Sequence, residues 1–107
     1  MMEKNEQLDV LFLFLERCVS EVRMQPTHIS LYVALFYCWC KDSKDNSGDA
    51  FPVDRGDTMR LAKILGRSTY QKCLKELGGF GYIKYRSSFD RFKKTIVSIE
   101  KTIPKRK

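Results

Sequence analysis

Apolar positions recur in steps of three and four through the first half of this chain and alternate near its end. From Leu8 to about Arg23, the residues Leu8, Leu11, Phe12, Leu15, Cys18, Val19 and Val22 form one stripe at helical spacing. Val10, Leu13 and Phe14 widen that stripe beyond what one partner helix covers. The helix therefore either sinks between several elements or turns its Val10, Leu13 and Phe14 edge toward a second subunit. Met24-Gln25-Pro26 ends it, because the residue before a proline is pushed out of helical geometry. Thr27 is placed to cap the next helix, about His28 to Cys40 (HISLYVALFYCWC). That segment is apolar nearly all round, the pattern of a central helix packed on several sides.

The polar run Lys41 to Asp49 (KDSKDNSGD) reads as an exposed loop, and Ala50-Phe51-Pro52-Val53 as a short extended piece able to pair with a later hairpin. Asp57 to Gly81 then holds two short amphipathic helices around Leu65-Gly66-Arg67, with Asp54 or Asp57 starting the first. Gly66 is suited to the left-handed conformation that stops a helix, and Ser68 with Gln71 has capping-box spacing for the restart. In the second helix Tyr70, Cys73, Leu74 and Leu77 face inward, while Thr69, Gln71, Lys72, Lys75 and Glu76 face out. Gly78-Gly79-Phe80-Gly81 turns the chain into Tyr82 to Arg86, where Ile83 and Tyr85 alternate with Tyr82, Lys84 and Arg86. Lys94 to Ile99 is the return strand, with Val97 and Ile99 on one side, so the two make a β-hairpin over a basic loop.

Charge sharpens this picture by its placement. Residues 1–54 carry five Lys/Arg and nine Asp/Glu, a net −4, whereas residues 55–107 carry fifteen and four, a net +11. A basic half on a small domain is the electrostatic footprint of a nucleic-acid face. The 107 residues suffice for one core. They divide into a flexible lead-in at 1–7, a single domain at 8–100 and a basic tail at 101–107. Val10 to Leu15 is too short to span a membrane, and the acidic residues near the start do not suit a secretory leader, so a cytoplasmic setting is expected.

The order helix, helix, short strand, helix, turn, helix, hairpin is that of a winged helix-turn-helix domain with an additional N-terminal helix. The expected fold class is mainly α with a small β-hairpin (α+β). The segments HISLYVALFYCW, FPVDRGDTMRLAKILGRSTYQKCLKEL and GYIKY resemble the small winged helix-turn-helix DNA-binding proteins of Bacteroides-type conjugative and mobilisable elements. More distantly they are similar to the winged N-terminal domains of replication-initiation proteins. The resemblance covers residues 28–99, about two thirds of the chain. It implies double-stranded DNA binding and a regulatory role, and nothing from it transfers to residues 1–26.

In such a site the second helix of the pair enters the major groove and neighbouring groups hold phosphate. Ser68, Thr69, Gln71 and Lys72 are the candidate base contacts, Gln71 being suited to adenine. Arg60, Lys63, Arg67, Lys75, Arg86, Arg91, Lys93 and Lys94 are the candidate phosphate contacts. Glu76 opposes DNA unless it pairs with Lys72 or Lys75 or meets cytosine. Phe89 and Phe92 either fold back over the hairpin or present an apolar surface to DNA or a partner.

Other chemistry finds little footing. Cys38 and Cys40 are one close pair without a second, and on a helix i and i+2 point about 200° apart. They do not make a zinc site, and all four cysteines read as small buried hydrophobes. The lone His28 sits beside a helix start and reads as a cap-region hydrogen bonder rather than a base. The aspartates of the 41–49 loop lack the glycine and glutamate positions of a calcium loop. No phosphate-cradling Gly-x4-Gly-Lys-Ser/Thr is present, and no acidic cluster stands in the basic half to hold a nuclease magnesium. The expectation is a protein without catalysis, metal or other cofactor, and with no evident small-molecule effector. It is a sequence-specific duplex binder and transcriptional regulator, and a homodimer if the N-terminal helix pairs with a second copy. A replication or recombination accessory of a mobile element, and a winged domain used for protein contact, are the alternatives.

Overall fold

The computed structural model describes residues 4–42, 50–86 and 95–100. Four helices and three short strands follow in the order α1 (Lys4–Ser20), α2 (Pro26–Asp42), β1 (Ala50–Val53), α3 (Arg55–Ala62), α4 (Arg67–Phe80), β2 (Ile83–Arg86) and β3 (Thr95–Ile99). The molecule is thus mainly helical with a small antiparallel sheet. The strands lie in the order β1-β3-β2, so β3 is central and pairs with both neighbours. Pro52 sits on the edge strand β1, where its missing N–H costs no interior ladder bond.

α2 is the hub. It touches α1, α3, α4, β1 and β3, as its nearly continuous apolar surface requires. It starts at Pro26, one residue before the expected cap, so Thr27 lies inside the first turn. The Gln25 carbonyl accepts from the N–H groups of His28 and Ile29, and the Gln25 N–H donates to Nδ1 of His28 at 2.9 Å. The His28 ring thus reaches back to the N-cap N–H, the half of a capping box that a glutamate usually supplies.

The α3–α4 turn differs in detail from its sequence reading. Asp54 caps α3 by accepting the Asp57 N–H at 2.9 Å. The left-handed residue that stops α3 is Lys63 (φ 61°), not Gly66, which is extended (φ −94°) and precedes α4 without any side-chain cap. Ser68 and Gln71 therefore form no capping box, because the helix has already begun at Arg67. The Ser30 hydroxyl donates to the Ala62 carbonyl and ties the end of α3 to α2. At the other end, α4 runs through Gly78 and Gly79 and stops only at Gly81 (φ 92°). Gly78 lets the Tyr85 ring approach closely instead: a Cβ there would lie 3.1 Å from it.

α1 is rotated by roughly a third of a turn from its predicted orientation, so Leu11 and Cys18 of the expected stripe still pack, partly buried, against the core. Its inward residues are Gln7, Val10, Phe14 and, just past its end, Glu21. Phe14 is fully buried, stacked on Tyr32 at 3.6 Å between centroids and edge-on to Tyr82 at 5.3 Å. Leu8, Phe12, Leu15 and Val19, assigned to the core by periodicity, are exposed, as is Val22. Val10 and Phe14 accordingly offer nothing to a second subunit, and of that proposed edge only Leu13 reaches solvent. The helix also begins at Lys4, four residues earlier than expected, and ends at Ser20.

Candidate nucleic-acid interface

α4 sorts its side chains by its own period. Tyr70, Cys73, Leu74 and Leu77 are buried, and Ser68, Lys72, Lys75 and Gly79, at i, i+4, i+7 and i+11, run along the opposite side. Arg67, Thr69 and Gln71 flank that line and are exposed. None of Arg67, Ser68, Gln71, Lys72 or Lys75 is engaged in a hydrogen bond or ion pair among the described residues. The result is one outward helix face with three cations and several uncommitted hydrogen-bonding groups.

The remaining predicted contacts are spread over other elements. Lys63 is exposed at the left-handed end of α3. Arg60 is exposed but its guanidinium is held by Asp57, three residues before it; an exposed pair of this kind is weak enough for phosphate to displace. Arg86 is exposed at the end of β2, while neighbouring Lys84 lies 3.9 Å from Glu100. Arg91, Lys93 and Lys94, together with Phe89, Phe92 and the 101–107 tail, lie outside the described residues.

Glu76 finds a partner that no spacing rule suggests. Its Oε1 is 2.8 Å from Nε2 of His28, a ring only 2% exposed. Because Nδ1 accepts from the Gln25 N–H, the proton of the neutral ring sits on Nε2 and is donated to the carboxylate. Neither Lys72 nor Lys75 pairs with Glu76. The acid that threatened the site is instead a tether between the start of α2 and the middle of α4.

A second junction braces the far end of α4. The half-exposed guanidinium of Arg23 makes two bonds to the buried Glu21 carboxylate, at 2.9 and 2.6 Å, and lies 4.2 Å over the Phe80 ring. The Tyr82 hydroxyl approaches Glu21 at 3.5 Å, and Phe80 packs edge-on to His28 at 5.4 Å. Sequence reasoning missed Glu21 and Arg23. Their one signal was a charged pair directly after a helix that ought to end on apolar residues.

Among the described residues no group of three or more His, Cys, Asp or Glu could hold a metal ion. Cys73 is buried and Cys18, Cys38 and Cys40 are partly so. Burial pushes the Cys18 and Cys38 thiols up, away from the reactive thiolate. An open groove of about 800 Å³ runs beside α2 and α3, past Tyr37, Val53, Asp57 and Leu61. No helix among the described residues is long and apolar enough to cross a membrane. No protein family, curated protein or solved structure matches the chain.

Proposed function

We propose that this protein is a winged helix-turn-helix module that binds double-stranded DNA sequence-specifically and acts as a transcriptional regulator. The observation that carries the reading is the outward face of α4, where Ser68, Gln71, Lys72 and Lys75 stand exposed and uncommitted. α4 is the second helix of a pair joined by a four-residue turn, Lys63 to Gly66. A helix in that position is the one that enters the major groove. Support also comes from the element order after α1 and the sheet order β1-β3-β2, which suit a fold whose hairpin flanks the reading helix. The +11 charge of residues 55–107 supports it further.

The proposed division of labour follows from chemistry. Gln71 offers a donor and an acceptor side by side, the pattern adenine presents at N7 and N6. Lys72 and Lys75 reach guanine edges or phosphate, and Arg67, Lys63 and Arg86 hold the backbone on either side. The bond to His28 holds the Glu76 carboxylate at the α2–α4 junction, while its negative charge remains beside Lys72 and Lys75. Selection of binding sites from random duplex, repeated at two salt concentrations, tests this. Gln71→Ala is expected to relax base preference at one position, and Arg86→Ala to weaken all sequences alike with a shallower salt dependence. Equal losses from Gln71→Ala on selected and random duplex would overturn sequence reading by α4.

A further inference from the structure

Of the exposed apolar residues of α1, Leu13 stands apart on another side, while Leu8, Phe12, Leu15 and Val19 recur at intervals of four, three and four. That is the a/d spacing of a coiled-coil seam, with Leu8 and Leu15 at d and Phe12 and Val19 at a. Val19 is 90% exposed and Phe12 54%, so the seam does not belong to the fold's own core. The core side of the same helix, Val10 and Phe14, is already filled. α1 is therefore apolar on two sides, and among the described residues only one of them is packed against the fold.

We infer that a second copy of this chain packs against α1 along Leu8, Phe12, Leu15 and Val19, with the two helices parallel. Three observations choose this occupant. First, a stripe repeating 4-3-4 is complementary to itself about a two-fold axis, so two copies interlock without any further surface. Second, both copies of the stripe together with Val22 expose roughly 1,000 Å² of apolar surface, about the least that a specific interface buries. Third, the exposed acids Asp9 and Glu16 line one edge of the seam at e positions, and Leu11 and Cys18 the other at g positions.

The edges also fix the direction. In an antiparallel pair the Asp9 and Glu16 edge meets its own copy across the axis, and like charges oppose each other. In a parallel pair each acidic edge meets the partner's Leu11 and Cys18 edge instead. Leucine at d with β-branched valine at one a position favours the same parallel, two-stranded arrangement. The seam is short, but α1 is already held helical by Phe14 and Val10, so pairing need not nucleate the helix. The dimer stands independently of the DNA reading, since none of its residues lies on α4.

The test is the mass of the full chain in solution, without DNA, by sedimentation equilibrium at tens of micromolar. The wild-type chain is expected at twice its monomer mass. Phe12→Glu and Leu15→Glu, both solvent-facing substitutions, are expected to shift it to monomer while the helical circular dichroism is kept. Leu13→Glu, on another side of α1, is expected to leave the dimer intact. A monomeric wild type, or a Phe12→Glu/Leu15→Glu double variant that stays dimeric, overturns the proposal. Direction is read by Leu8→Cys under mild oxidation, beside the wild type as control. In a parallel pair the two position-8 sulfurs meet at disulfide distance and link the chains. In an antiparallel one, where Leu8 opposes Val19, the two Leu8 positions are about 16 Å apart along the axis at ~1.5 Å per residue and do not link. A dimer that Leu8→Cys fails to link overturns the parallel arrangement.

Discussion

Removing the Glu76 carboxylate should cost stability through His28, a residue on another helix and 48 positions away. In Glu76→Ala the ring stays buried, its Nδ1 still engaged by the Gln25 N–H, and its Nε2–H loses its acceptor at 2.8 Å. An unpaired buried donor costs about 1–3 kcal/mol. The Glu76 side chain is 36% exposed, so water can approach this edge of the ring and the lower half of that range applies. Alanine's higher helix propensity returns a few tenths of a kcal/mol. The expected net loss is about 1–1.5 kcal/mol. Glu76→Gln keeps a carbonyl acceptor and loses only the charge assistance, so it should cost about half as much. Urea unfolding at pH 7 and one fixed protein concentration measures both, as a shift in midpoint of about 0.5–1 M at unchanged slope. A double-mutant cycle with His28→Phe isolates the pair, and a coupling of about 1 kcal/mol is expected. A coupling within about 0.3 kcal/mol of zero, the error of such cycles, would refute the tether. So would equal losses in the Gln and Ala variants. Glu76→Gln also removes a negative charge beside Lys72 and Lys75, so under the proposed function it should raise affinity for random duplex while leaving base preference in place.

The two helical glycines of α4 should separate. Gly79→Ala meets nothing within 4 Å and is expected to stabilise by about 1 kcal/mol, the helix-interior difference between the two residues. Gly78→Ala places its Cβ 3.1 Å from Tyr85 and should lose most or all of that gain, both read by thermal unfolding. At alkaline pH, burial holds the Tyr70 hydroxyl neutral, pushed up to about 12 from an ordinary 10, and Tyr32 moves the same way. Folding that raises the pKa of an acid favours its protonated form, so the stability these tyrosines contribute is complete below pH 10 and falls as pH rises toward 12. Absorbance at 295 nm should show Tyr32, Tyr70 and the equally buried Tyr82, which burial also pushes up, ionising late and together with loss of helical circular dichroism. Early, independent ionisation of all five tyrosines would contradict their burial.

Much of the architecture was legible because several local signals agreed. The Asp54 cap, the all-round apolar α2, the inward set Tyr70, Cys73, Leu74 and Leu77, and the alternation around Val97 each specify an element by themselves. The face of α1 was not legible, and the reason is physical. Both of its sides are apolar, and periodicity reports that a stripe exists without saying what it meets. What decided the matter was long-range: Phe14 fits flat on Tyr32, and the buried side admits Gln7 and Glu21, which a hydrophobicity count rejects. The outward residues of α4 were found by the same period that found its core. The state of Glu76 was not, because its partner lies on α2 and no spacing within α4 encodes it.

The placement of β3 bears on how the molecule is made. β1 and β2 do not pair with each other; each is bonded to β3, the last of the three to be synthesised. Until residues 95–99 have left the ribosome, the two earlier strands have no ladder to join, and β1 has waited some forty residues, from Val53 to Thr95, for its partner. The helices can collapse around α2 during synthesis, because their contacts are available in chain order. The sheet closes only at the end, in one step that zips both edges to the same strand. A nascent chain stopped at Arg86 would therefore carry two unpaired strands, each with one apolar face, and the natural hazard of this fold lies in that interval.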